Sequence, residues 1–129
     1  MQKEIQAVKE FHTAYKIGYK EQPEANLGEA KHNLRFNLMK EENEEYLAAV
    51  ASNDIVEIAD ALGDMLYILC GTIIEHGLQH HIEAVFDEIQ KSNMSKLGTD
   101  GVPIYREDGK VMKGPNYFKP NIAKILKKV

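Results

Sequence analysis

The chain has 129 residues, 43% hydrophobic and 28% charged, which is ordinary for one soluble domain with a core of its own. Its formal net charge of −4 argues against nucleic acid as a partner. The single Cys70 excludes an intrachain disulfide and fits a reducing compartment. No apolar run is long enough to span a membrane, and the first residues lack the apolar stretch of a signal peptide. We therefore expect a cytoplasmic protein, or a phage or organelle product from such a compartment, that binds neither nucleic acid nor membrane.

The first half of the chain predicts two helices. Over residues 2–20, apolar side chains recur at three- and four-residue steps, at Ile5, Val8, Phe11, Tyr15 and Tyr19. Pro23 and Gly28 then interrupt the pattern. A second helix is predicted from about Glu29 to Ala51. Its expected core face consists of Ala30, Leu34, Leu38, Ala48 and Ala49.

Two further helices follow. The third is predicted from Ile55 to about His76, with an N-cap among residues 52–54 and a stop at Gly77. It is apolar nearly all round after Ala61, as expected of a central bundle helix. The fourth is predicted over about residues 81–95. Short connections favour antiparallel neighbours, so we expect an all-α four-helix bundle.

The composition changes after residue 97, where glycine and proline become frequent. An Asp-Gly pair between two short extended segments, at residues 108 and 109, indicates a small β-hairpin. A short basic helix capped by Asn121 is expected at the C-terminal end. We therefore predict a helical bundle over residues 1–97 and a loop-rich tail over 98–129 that packs on the same domain.

Acidic residues occupy the predicted core stripes of helices two and three. They are Glu41, Glu42 and Glu45 on one helix, and Glu57, Asp60 and Asp64 on the next. In an antiparallel helical hairpin, residues equidistant from the turn lie opposite one another, so Glu45 faces Asp60 and Glu41 faces Asp64, with Glu42 one residue from that register. This brings five carboxylates together between the two helices. Unpaired carboxylates would be costly there, and Mg²⁺ or Mn²⁺ would compensate them through hard oxygen ligands.

A solvent-exposed acidic face is the alternative explanation. Glutamate-rich helix segments usually improve solubility, and Glu44 fits that description. The alternative explains Asp64 poorly, because an aspartate inside an apolar helix needs a partner. Arg35 is the only basic residue predicted to share the acidic face, and it lies about two turns from Glu42. The residues therefore favour a metal site.

These residues resemble the all-α NTP pyrophosphatases, a superfamily that includes the MazG-like proteins and phosphoribosyl-ATP pyrophosphohydrolase. The family pattern is E-E-x-x-E on one helix and E-x-x-D on the next. Here "EENEE" matches with Glu41, Glu42 and Glu45, and "DALGDMLY" matches with Asp64. Ala61 stands where the family has a glutamate, and Asp60 or Glu57 is the replacement on that face.

The resemblance implies Mg²⁺-dependent hydrolysis of a nucleoside triphosphate between its α- and β-phosphates. The products would be a nucleoside monophosphate and pyrophosphate, as in a nucleotide-pool house-cleaning enzyme. Glu41 would be the general base, although Glu42 is an alternative for that role. The implied metal ligands are Glu42, Glu45, Asp60 and Asp64.

Candidate substrate contacts lie outside the acidic motif. Lys91, Asn93 and Lys96 resemble the set that meets the triphosphate in similar proteins, although lysines near a helix C-terminus are also common for solubility. Arg106, Lys110 and Lys113 in the tail are further candidates for the phosphates, or are simply surface residues. Tyr67 is a candidate contact for the sugar. Phe11, His12 and Tyr15 are candidates for a nucleobase pocket, but we favour bundle core for them.

Two alternatives remain open at this point. One is phosphoribosyl-ATP pyrophosphohydrolase of histidine synthesis, and the other is a non-catalytic four-helix interaction domain with relic acids. The apolar surface of helix three also predicts a homodimer or homotetramer.

Overall fold

The structure is a computed structural model and describes residues 1–127. Its secondary structure is helical. The helices are α1 (Gln2–Ala14), α2 (Glu29–Ala51), α3 (Ile55–Glu75), α4 (Ile82–Met94) and α5 (Ile122–Leu126). The all-α fold class is thereby confirmed. None of these helices is both long and apolar enough to cross a membrane.

Helix α1 is shorter than predicted because the backbone leaves the helical conformation after Tyr15. Lys16 adopts a left-handed backbone with φ of 58°, which ends the helix. The carbonyl oxygen of His12 accepts hydrogen bonds from the amides of Ile17 and Gly18, at 2.8 and 3.4 Å. The apolar spacing that continues to Tyr19 therefore does not reflect a continuous helix.

Helices α2 and α3 form an antiparallel hairpin around a tight turn. Asn53 is left-handed with φ of 53°, and the Asp54 carboxylate accepts hydrogen bonds from the amides of Val56 and Glu57. Asp54 is thus the N-cap of α3. At the other end of α3, Gly77 adopts a φ of 69°, and a Cβ there would collide with the carbonyl of Gln22, so the predicted glycine stop is confirmed.

The buried face of α2 differs from the prediction. Ala49 is buried as predicted, but Leu34 is 49% exposed and its neighbour Arg35 is buried instead. Arg35 is buried because it pairs with the buried Glu75 of α3 at 3.0 Å. Its guanidinium also donates to Thr72 Oγ1 and to the carbonyl of Ile68, at 3.1 and 2.8 Å. A polar network, rather than a leucine stripe, occupies this end of the hairpin.

The chain divides into two compact units, one over Met1–His80 and one from His81 onward. In the second unit, the tail is held to α4 by hydrogen bonds. Ser92 Oγ donates to the carbonyl of Phe118 at 2.8 Å, and the amide of Asn121 donates to Glu88 at 2.8 Å. The prediction of a bundle over 1–97 with a packed tail over 98–129 stays a prediction.

The tail turn around Gly109 is less regular than expected. Tyr105 and Val111 form one isolated antiparallel bridge, and residues 1–127 contain no strand. The predicted β-hairpin is therefore not supported. The short C-terminal helix is present as α5, and the side chain of Asn121 accepts a hydrogen bond from the amide of Lys124 at 3.1 Å. Residues 128 and 129 of the predicted tail lie outside the described part of the chain.

Candidate active site

Three carboxylates meet between α2 and α3. Oxygen atoms of Glu42, Glu45 and Asp64 all lie within 4.8 Å of one another. Glu42 and Glu45 are three residues apart on α2, so their side chains share one face of that helix. The antiparallel hairpin brings Asp64 of α3 opposite them. This acidic group is the candidate active site.

The electrostatics of the acidic group are unfavourable without a cation. The pKa of Glu42 is raised to about 6. The largest cause is burial, which penalises the charged form of the carboxyl group. A hydrogen bond with Glu45, which requires a proton on one of the two carboxyls, raises this pKa further, as do the charges of Glu45, Asp64 and Glu41. One oxygen of Glu42, Oε2, is buried and accepts no hydrogen bond from any group in residues 1–127.

Basic side chains do not neutralise the group. Within residues 1–127, no lysine, arginine or histidine forms an ion pair with Glu42, Glu45 or Asp64. Arg35 is instead held by Glu75, and Lys40 lies 4.0 Å from the exposed Glu44. Among the residues that the structure describes, the three carboxylates therefore have no partner of opposite charge.

The other predicted acids lie beside the group rather than in it. Glu41 is exposed and does not belong to the three-carboxylate set. Asp60 and Glu57 are also exposed, and together with Glu45 they line a cavity of about 400 Å³. Ala61 lines the same cavity and is itself only 3% exposed. The structure thus brings together three of the five carboxylates that the hairpin register predicted to meet.

The predicted phosphate contacts belong to the second unit. Lys91 is exposed and lines a cavity of about 490 Å³ between α4 and α5. Asn93 is exposed and Lys96 is partly buried. In the tail, Arg106 is paired with Asp108, and Lys113 lies 4.9 Å above the ring of Tyr117. Their role toward a substrate stays a prediction.

Aromatic residues of α1 and α3 form a cluster that the sequence did not predict. The ring centroid of Phe11 lies 4.4 Å from that of Tyr15 and 5.6 Å from that of Tyr67. His12 is buried, as favoured for a core residue, and its Nδ1 lies 3.0 Å from the carbonyl oxygen of Gly18. Phe11 and Tyr15 are exposed, so the expectation of bundle core is wrong for both. The helical spacing of Phe11 and Tyr15 placed them on one stripe, but it did not reveal that α1 ends at Ala14.

Comparison with known proteins identifies the family. A family model for phosphoribosyl-ATP pyrophosphohydrolase matches residues 8–93, a segment that includes all three carboxylates. The chain belongs to this pyrophosphohydrolase family. The match confirms the resemblance drawn from the acidic motif.

One solved structure that is similar to this chain is also described as a pyrophosphohydrolase. It is the crystal structure of a "putative NTP pyrophosphohydrolase" from Exiguobacterium sp. 255-15, with 26% sequence identity and a TM-score of 0.52. The similarity covers 97% of this chain and 94% of the other. A comparison with curated proteins finds no match. Family and structural neighbour together support pyrophosphohydrolase activity.

Proposed function

We propose that the protein is a Mg²⁺-dependent nucleoside triphosphate pyrophosphohydrolase that cleaves between the α- and β-phosphates. The products are a nucleoside monophosphate and pyrophosphate. The observation that carries this proposal is the group of three carboxylates within 4.8 Å, in a chain of the pyrophosphohydrolase family.

The acidic group fits a divalent metal ion. It offers hard carboxylate oxygens, the ligands that suit Mg²⁺ or Mn²⁺. The buried Oε2 of Glu42 has no hydrogen-bond partner in the described part of the chain, and binding to a metal ion would satisfy it. Glu42, Glu45 and Asp64 would hold the ion, and Asp60 would complete the set from the adjoining cavity, with Glu57 as the alternative. When bound, the metal neutralises phosphate charge and orients the reacting groups.

The exposed carboxylate of Glu41 is proposed as the general base. Glu41 lies next to Glu42 in the chain but outside the three-carboxylate group, so it is available to a water molecule. It would accept a proton as the water oxygen bonds to phosphorus and the bridging P–O bond breaks. Glu42 remains the alternative base, because its carboxylate lies within the acidic group itself.

Basic and amide side chains are needed for the triphosphate. We propose Lys91, Asn93 and Lys96 for this role, with Tyr67 toward the nucleoside. Lysine offers a compact charge that pairs with phosphate oxygens.

Phosphoribosyl-ATP is the second candidate substrate. The match to the phosphoribosyl-ATP pyrophosphohydrolase model favours it directly. The bond cleaved would be the same, so the acidic group serves either substrate equally well. Only the nucleoside end of the molecule distinguishes the two.

The test is a product analysis with purified protein. Canonical NTPs, dNTPs and phosphoribosyl-ATP are incubated with Mg²⁺, and the products are separated by chromatography. We expect a monophosphate and pyrophosphate with the wild type and neither with Asp64→Asn. A diphosphate and orthophosphate would show that the cleaved bond is a different one. If no substrate turns over and calorimetry detects no Mg²⁺ or Mn²⁺ binding, the chain is an interaction domain instead.

A further inference from the structure

A tight turn in the tail, at residues 114–118, is bonded to the end of α4, and we call this turn the brace. Its sequence is Gly-Pro-Asn-Tyr-Phe. The amide of Tyr117 donates a hydrogen bond to the carbonyl of Gly114 at 3.2 Å. Pro115 occupies the second position of this turn, where the fixed φ of proline is favoured. The conformation of the brace therefore follows largely from its own sequence.

Both ends of the brace bond to the end of α4 through the backbone. At one end, the amide of Gly114 donates to the carbonyl of Lys96 at 2.7 Å. At the other end, Ser92 Oγ donates to the carbonyl of Phe118 at 2.8 Å, and the amide of Phe118 donates to Ser95 Oγ at 3.1 Å. The ring of Phe118 is 44% exposed, so its backbone, rather than its side chain, is what α4 holds.

The contact between the brace and α4 is close and partly buried. A Cβ at Gly114 would collide with the carbonyl oxygen of Leu97 and would lie 2.7 Å from that of Lys96, so this position requires glycine. Ser92 is 2% exposed, and without Phe118 its buried hydroxyl would lose its acceptor. The brace therefore restricts the backbone that follows α4.

Lys96 depends on this restriction more than the other two residues proposed for the triphosphate. Lys91 and Asn93 lie within α4, so the helix itself sets their positions. Lys96 lies beyond Ser95, the C-cap, where the helix no longer fixes the backbone. The lysine stem is also flexible, so its ammonium group is placed only as well as the backbone that carries it. A shift of about 1 Å in a positioning contact can cost about 100-fold in rate.

We propose that the brace positions Lys96 for the triphosphate, and that Gly114 and Ser95 are positioning residues that act through it. This inference rests on the proposed function, in which Lys96 binds phosphate. Gly114 acts through its bond to the Lys96 carbonyl, and Ser95 acts by holding Phe118 beside the residue that precedes Lys96. Loss of the brace should weaken triphosphate binding and leave Mg²⁺ affinity unchanged, because the acidic group belongs to the first unit.

Two variants release the brace at different points. Gly114→Ala forces the backbone away from Lys96, and Ser95→Ala removes the acceptor of the Phe118 amide. We expect each variant to weaken triphosphate binding by about tenfold, the effect of losing one hydrogen bond to a charged group. Ser95→Thr keeps the hydroxyl and should bind like the wild type. Gly101→Ala is the matched control, because it strains a left-handed tail glycine whose Cβ would meet no atom within 4 Å.

The experiment measures binding of diimidotriphosphate by titration calorimetry in the presence of Mg²⁺. This probe is a base-free triphosphate with NH in place of the bridging oxygens, so its binding depends neither on the base nor on turnover. A double-mutant cycle with Lys96→Ala separates positioning from folding. In the Lys96→Ala background, Gly114→Ala should change the affinity by less than about twofold. Thermal unfolding shows which variants are folded, and Ser95→Ala takes the place of Gly114→Ala in the cycle if the latter is not.

Four results would overturn the positioning role. They are wild-type protein that does not bind the probe, Lys96→Ala that binds it like the wild type, brace variants with unchanged affinity, and equal losses in both backgrounds of the cycle. Equal losses would show that the brace only holds the fold. The proposed function is tested separately by turnover. If the variants show the expected pattern of binding but the wild type cleaves no nucleotide, the proposed function fails and the positioning of Lys96 stands.

Discussion

Glu42 carries the clearest electrostatic signature in the molecule. Its pKa is raised to about 6 by burial, by the hydrogen bond with Glu45 and by three neighbouring carboxylates. Arg35, the one basic residue that the sequence placed on this face, is engaged by Glu75. The acidic group is therefore a site of like-charge repulsion that a bound cation would relieve.

Removing one carboxylate should have opposite effects on metal binding and on the metal-free fold. We expect Asp64→Asn and Glu42→Gln to weaken Mg²⁺ binding by at least about tenfold, since each loses a charged ligand. In EDTA, both variants should unfold at a higher temperature than the wild type, because repulsion falls. Calorimetry and thermal unfolding measure the two effects, with the exposed Glu44→Gln as control. A lower melting temperature in EDTA would contradict the account.

The raised pKa of Glu42 also predicts a pH dependence of stability. A group whose pKa is higher in the folded state stabilises the fold when protonated. This contribution is fully present below about pH 4.5, the ordinary value, and is lost as the pH rises through about 6. Urea unfolding in EDTA should therefore show a contribution from Glu42, on the order of 1 kcal/mol, that favours pH 5 over pH 7.5. In Glu42→Gln this contribution should vanish, and an unchanged profile would refute the assignment to Glu42.

Ala61 is the residue at which this chain departs from the family pattern. It borders the cavity of about 400 Å³ shared by Glu45, Glu57 and Asp60. We expect Ala61→Glu to tighten Mg²⁺ binding, because the longer side chain can extend a carboxylate into that cavity. Asp60→Asn should weaken binding in the wild-type background but much less in the Ala61→Glu background. Titration calorimetry measures the Mg²⁺ affinity of each variant. If Asp60→Asn lowers that affinity equally in both backgrounds, Asp60 does not replace the missing glutamate.

At the scale of elements, local patterns predicted the helices better than their buried faces. The bounds of α2 and the stop of α3 at Gly77 follow from periodicity and glycine, which act within one turn. The end of α1 depends on the left-handed Lys16, which no residue preference indicates. The carboxylates of Glu42 and Asp64 were predictable because a tight antiparallel turn fixes which residues face each other. The hairpin register is too coarse to distinguish neighbouring residues, so it did not predict that Glu42 joins the group and Glu41 does not.

The buried Arg35–Glu75 pair escaped prediction because its partners are 40 positions apart in the sequence, beyond any local pattern. Arg35→Met leaves Glu75, which is 3% exposed, with Lys31 alone at 2.7 Å. We expect this variant to lose about 3–5 kcal/mol of unfolding free energy, because a buried charge is left partly unpaired. The double variant Arg35→Met/Glu75→Leu should recover most of the loss. Chemical denaturation measures both, and simply additive losses would mean that the two side chains do not stabilise each other.

At the scale of the whole molecule, charge is divided unevenly between the two units. The first unit contains fourteen Asp and Glu against seven Lys and Arg, whereas the remainder contains nine Lys and Arg against six Asp and Glu. The acids proposed to bind the metal thus belong to an acidic unit, and the residues proposed to bind phosphate belong to a basic one.

Helix α3 exposes apolar side chains that the first unit leaves uncovered. Leu62, Leu66 and Leu69 follow one another at four- and three-residue steps, each between 43% and 49% exposed. A contiguous apolar stripe of this kind favours burial against another chain, so we predict a homodimer or homotetramer. Sedimentation should show that association for the wild type, and Leu66→Glu should lower the mass, because a buried unpaired charge opposes it. Met112→Glu, a change at an exposed tail residue, should leave the mass unchanged. A monomeric wild type at high micromolar concentration would show that the stripe is not a contact between copies.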